Sequence, residues 1–155
     1  MPTPHSHKKP FLCARHKTLA QQNPARCRAL VKRLHSEGRQ ALHTAQYRKA
    51  IPYLGAAFES AEILLQQETV AHSDIDRYLK LSLELIYACR KSDYPIHTPE
   101  LVELVKRQLE PHYSLRHTQK LLTPLLDVAF TPMAAVDEWV QTMLALDERQ
   151  QHPLH

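Results

Sequence analysis

Only two glycines, Gly38 and Gly55, occur in 155 residues, and neither follows the Asn or Asp that would mark a tight hairpin turn. Strands joined by such turns, with valine and threonine alternating along them, are not written into this chain. The same scarcity argues against a glycine-rich phosphate loop and against the glycine fingerprint of a dinucleotide fold. What recurs instead is apolar side chains at three- and four-residue steps, the signature of helices that bury one face.

Asn23 followed by Pro24 is a helix start, because Asn caps exposed amides and proline fits the first helical position. The stripe Cys27, Leu30, Val31, Leu34, Gly38, Ala41 and Leu42 then predicts a first helix over about residues 24–43. After a break at residues 44–46, Ile51, Leu54, Phe58, Ala61, Leu64 and Leu65 predict a second, over about 48–67, with Pro52 tolerated in its first turn. Ser73 and Asp76 resemble a capping box for a third helix, 74–91. Its apolar residues, among them Ile75, Tyr78, Leu79, Leu83 and Ile86 with Leu81 and Leu85 beside them, cover more than one face, so it is expected to be the most buried.

Residues 92–97 read as a loop, and Thr98-Pro99-Glu100 starts a fourth helix carrying Leu101, Val102, Val105 and Leu109. Ser114 caps a fifth, which Thr123-Pro124 kinks or restarts before Phe130. Thr131-Pro132 starts the sixth, with Met133, Val136, Trp139, Val140, Met143 and Leu144. Trp139, Phe58, Tyr78 and Tyr87 all stand at core spacing. The expected fold is all-α, about six antiparallel helices in stacked hairpins. With 43% hydrophobic residues the length suits one core. The domain is set at residues 23–149, between a flexible basic arm (1–22) and a short tail (150–155).

Within this pattern Gly38, Ala45, Tyr47, Ala50, Ile51, Leu54, Ala57 and Phe58 resemble a tetratricopeptide repeat, a match extending over about residues 30–64. In that family small residues let two helices approach and an aromatic fills the turn. The resemblance implies a scaffold whose concave surface receives a peptide or a partner helix, and hence an adaptor or regulatory subunit with a protein partner.

Charge is unevenly placed. Residues 1–49 hold eleven Lys or Arg against the single acid Glu37, a balance of +10, and the remaining 106 residues sum to −6. At 100° per residue, Arg28, Lys32, His35, Arg39 and His43 share one ribbon beside the apolar stripe of the first helix. Such a ribbon suits an acidic partner protein or, as the alternative function, a nucleic-acid backbone reached together with the basic arm. The simpler reading of the same residues is a solvated face whose charges pair with Glu or Asp from the acidic remainder of the chain. Few aromatics accompany them for base stacking.

His5, His7, Cys13 and His16 lie close together with one Cys-x-x-His spacing, but a second pair of zinc ligands would have to come from a proline-broken tail, and surface histidines are the simpler reading. Asp74 and Asp76 do not share a helix face; Asp137 with Glu138, and Asp147 with Glu148, read as exposed charge. Glu59 and Glu62, a turn apart beside Phe58, either face a groove or stay in solvent. Cys89 in its apolar helix reads as a core thiol. No catalytic residue, metal or cofactor is therefore expected, and the chain is read as a non-enzyme. Three irregularly spaced cysteines do not make a disulfide framework, and residues 1–9 lack the apolar stretch of a secretory signal, so a cytoplasmic protein without a membrane segment is expected.

Overall fold

Seven helices follow one another in the computed structural model, which describes residues 10–151, the side chains as far as residue 146. They are α1 (Ala14–Gln22), α2 (Pro24–His43), α3 (Tyr47–Leu64), α4 (His72–Lys91), α5 (Thr98–Leu109), α6 (Leu115–Phe130) and α7 (Met133–Gln151). Helices α2 to α7 answer to the six expected from the apolar periodicity. The additional helix, α1, corrects the reading of residues 1–22 as a flexible arm: Leu12 and Ala20 are buried, and α1 packs on both α2 and α3. The first nine residues of that arm, His5 and His7 included, and residues 152–155 of the tail lie outside the described residues. Helix α7 continues to Gln151, two residues past the expected edge of the domain.

The starts follow local chemistry. Asn23 Oδ1 accepts the Arg26 amide at 3.2 Å ahead of Pro24, and Ser114 Oγ accepts the His117 amide at 3.2 Å. Two starts differ from expectation. Helix α4 begins at His72 with Ala71 at its cap, so the Ser73 and Asp76 box does not form, and Asp74 is drawn into a tertiary ion pair instead. Helix α3 begins at Tyr47, which makes Pro52 its sixth residue and places it beyond the first turn. The proline lies on the exposed side, where water reaches the Arg48 carbonyl that has lost its amide partner. Thr123-Pro124 does not split α6, which runs unbroken to Phe130.

Helices α2 and α3 form the closest pair. A Cβ on Gly38 would lie 2.6 Å from Leu54 Cδ2, so the small residue sets how near the two axes come. Helix α4 is the hub: every residue from Leu81 to Cys89 is buried, and α4 packs on α3, α5 and α6. Its far end is tied to α7, since Tyr87 Oη donates to Asp137 Oδ1 at 2.7 Å and Lys91 Nζ to Asp137 Oδ2 at 3.0 Å. Asp137, expected as plain surface charge, is thus a tertiary anchor. Arg90 donates to the carbonyls of Val128 and Thr131, closing the C-terminal end of α6 where carbonyls lack amides.

The connections out of α2 and α4 close in the same way. The amide of Gln46 bonds the Ala41 carbonyl at 2.8 Å and that of Ala45 the Leu42 carbonyl at 3.0 Å, with Ala45 at φ 56°. At the end of α4 the Tyr94 amide bonds Cys89, with Asp93 at φ 52°. These are Schellman closures whose left-handed residue is usually glycine. Asp tolerates that conformation, whereas alanine there is strained by about 1 kcal/mol. Ala45→Gly is therefore expected to raise stability by about 1 kcal/mol in urea unfolding, against the usual cost of adding a glycine.

Candidate functional site

The basic ribbon of α2 does not face solvent as a unit. Arg28 donates from Nε and a terminal nitrogen to the two oxygens of Asp74 on α4, at 3.0 and 2.8 Å. One helical turn apart further along, His35 and Arg39 both reach Glu84, which is wholly buried. Arg39 donates from Nε at 3.1 Å and from its terminal nitrogen at 2.8 Å, and His35 Nε2 lies 3.1 Å from both carboxylate oxygens. Arg77 Nη1 stands 2.9 Å from His35 Nδ1. Of the five expected partner-binding residues, Lys32 and His43 are exposed, Arg28 is partly covered, and His35 and Arg39 are 2% and 8% exposed. The expectation of one partner-binding ribbon is corrected accordingly: α4 presents Asp74 and Glu84 at the same axial spacing, and the ribbon becomes a zipper between α2 and α4.

The electrostatics of the zipper are internally balanced. Burial alone raises the Glu84 carboxyl, but His35 and then Arg39 outweigh it and hold it below its ordinary value of 4.5. Arg77 is lowered by burial and by Arg39, with Glu84 pulling the other way.

The groups singled out for chemistry are dispersed. Cys89 is 1% exposed and its thiol is pushed up to about 12 by burial, so it remains protonated and inert at neutral pH. Cys13 caps α1 with its Sγ 3.2 Å from His16 Nδ1, while the other two histidines proposed with them are outside the described residues. Glu59 and Glu62 are half-buried, and burial is the main cause of a raised pKa in both. Among the described residues no three His, Cys, Asp or Glu side chains converge as a metal site, and no helix is long and apolar enough to cross a membrane.

The concave feature with apolar walls lies elsewhere, between α4, α6 and α7. Leu79 and Leu83, Leu121 and Leu125, and Trp139 and Met143 line a groove of about 280 Å³, with Asp76, Lys80 and Lys120 at its rim. Each helix contributes one turn, about 6 Å of wall. Trp139 is 41% exposed, which corrects its expected place in the core. Helix α7 buries Val136, Val140 and Leu144, and at 100° per residue Trp139 falls about 100° from the centre of that stripe. The surplus was visible in the sequence as too many apolar residues for one stripe: Leu115, Leu126, Phe130 and Leu146, on the same two helices, are also exposed. A wider dish of about 510 Å³ at the turn between α2 and α3 is shallow and lined by residues 45–49 with Ser92.

Neither a family model, a curated protein nor a solved structure matches this chain.

Removing the charge on Glu84 takes the carboxylate away from the buried Arg39 guanidinium. Glu84→Gln is expected to lose about 3–5 kcal/mol at neutral pH in urea unfolding. Because the folded carboxyl titrates below the unfolded one, its contribution is present above about pH 4.5 and fades as pH falls through the folded value. The difference between wild type and Glu84→Gln should therefore shrink when the same unfolding is measured at about pH 3.

Proposed function

We propose that this chain is a non-enzymatic, cytoplasmic adaptor or regulatory subunit on a tetratricopeptide-like scaffold, and that the groove between α4, α6 and α7 takes an apolar helix of its protein partner. The observation that carries the reading is the exposure of Trp139 at the mouth of a groove walled by Leu79, Leu121 and Met143. Aromatic side chains left in solvent beside leucines mark partner surfaces, because their burial supplies large area at low entropic cost. One turn of wall per helix fits one or two anchors spaced at i and i+4 on an incoming helix. Lys120 on the rim favours an acidic residue beside those anchors.

The repeat-like part of the reading is supported by the α2–α3 pair, where Gly38 admits Leu54 as a small residue at a repeat crossing would. Three free thiols suit a reducing compartment. The nucleic-acid alternative loses support, since Arg28, His35 and Arg39 spend their donors on Asp74 and Glu84.

The test is affinity capture from native lysate, with nuclease and at low and moderate salt, using wild type, Lys32→Glu and Trp139→Ala. One stoichiometric protein is expected on wild type and on Lys32→Glu, and at least about tenfold less on Trp139→Ala, whose own stability should change by no more than about 1 kcal/mol. Added back, that protein should shift the emission of the chain's single tryptophan to the blue. Equal recovery on Trp139→Ala, or recovery only of nucleic acid that salt removes, would refute the groove as the site.

A further inference from the structure

A second surface, on α3, is already occupied by a short segment: the chain's own residues 11 and 12. Phe11 and Leu12 precede α1 and are held there by two residues of α3, Gly55 and Glu59. A Cβ on Gly55 would collide with the Phe11 ring, and the atoms nearest to that position all belong to Phe11, so the missing side chain is what makes the ring's seat. Leu12 is 8% exposed. Its amide donates to Glu59 Oε1 at 2.7 Å, a backbone contact made 47 residues away in sequence.

Each of these features is a means of recognising a peptide. Glu59 is half-buried, and burial raises its carboxyl while the amides of Phe11 and Leu12 and the charge of Lys17 pull it down. Lys17 acts on Glu62 in the same way. The site is therefore a partly desolvated pair of carboxylates beside a notch for an aromatic ring, matched by backbone amides and a following cation. Glycine in mid-helix costs about 1 kcal/mol relative to alanine, and at Gly55 the three atoms nearest to the missing Cβ all belong to the Phe11 ring. The seat is small: one ring at Gly55 and one amide at Glu59.

We infer that the α3 surface around Gly55 and Glu59 is a peptide-recognition site held shut in cis by Phe11 and Leu12, and that in trans it takes a basic peptide bearing a Phe-Leu pair. The tethered segment competes at high effective concentration, so an external peptide binds in proportion to the fraction of chains whose segment is undocked. The site is independent of the α4–α6–α7 groove, and neither reading needs the other.

The probe is a fluorescent peptide of residues 5–18 of this chain with Cys13 replaced by serine, so that Lys17 is included, titrated by polarisation against full-length proteins. The variant Phe11→Ala/Leu12→Ala, with its site open, is expected to bind the peptide at least about tenfold more tightly than wild type. Adding Gly55→Ala, which fills the seat with a methyl group, or Glu59→Gln, which weakens the amide acceptor, should abolish or reduce that gain. Helicity by circular dichroism checks that the open variant is folded. A folded open variant that binds no better than wild type, or a gain that survives Gly55→Ala, overturns the inference. Should the open variant unfold, hydrogen exchange on the Gly55→Ala single variant decides. Loss of protection at the Leu12 amide, with α2 to α4 unchanged, supports the seat; retained protection overturns it.

Discussion

Glu84 is charged, buried and out of reach of water, in the middle of the helix that touches most of the others. A carboxylate in that position is tolerable only if cations and hydrogen-bond donors are built around it. Arg39 and His35 are those donors, and Arg77 completes the set by bonding the other nitrogen of the imidazole. The consequence reaches beyond the pair. The arrangement fixes the register of α2 against α4, because a slip of one residue on either helix would rotate a charge into the apolar core. Asp74 and Arg28 repeat the constraint nearer the start of α4, so the two helices are pinned at two separate levels.

The α3 helix is placed by packing where the zipper is placed by charge. Gly38 lets α3 approach α2, and the stacked rings of Phe58 and Tyr78, 4.9 Å between centroids, join it to α4. Tyr47 meets Tyr87 edge-on at 5.8 Å, beside the lysine that also holds Asp137. Helices α2, α3 and α4 thereby form a rigid block. Helix α7 is tied to α4 by Asp137 and Gln141, which both bond Tyr87, and buries one narrow stripe, Val136, Val140 and Leu144. That narrowness is what leaves Trp139 outside the core and opens an apolar groove at the edge of the block.

The two candidate surfaces differ in kind. The groove is an unfilled apolar channel and suits a side-chain-anchored helix, whereas the α3 site reads backbone amides and one ring and suits an extended segment. They also sit on different parts of the chain, one on the later helices and one on α3.

Most of the helix pattern was legible in the sequence, because periodicity and capping are local: Asn23-Pro24 and Ser114 cap where they were read, and α2 to α7 overlap the spans read from their stripes, apart from the start of α4 and the place of Trp139. The continuous burial of α4 was legible too, since apolar residues covered more than one of its faces. Helix α1 was not, because its stability comes from contacts with α2 and α3 and its own sequence has no apolar stripe. The same distinction governs the sites. The sequence determined that Arg28, His35 and Arg39 share a ribbon, since that is a matter of 100° per residue. Only the tertiary structure decided that the ribbon turns inward, because that depends on Asp74 and Glu84 arriving from α4, 46 and 45 residues further on, at matching height. The exposure of Trp139 and the seat for Phe11 at Gly55 were settled likewise by what packs against a helix, information that no single helix carries in its own residues.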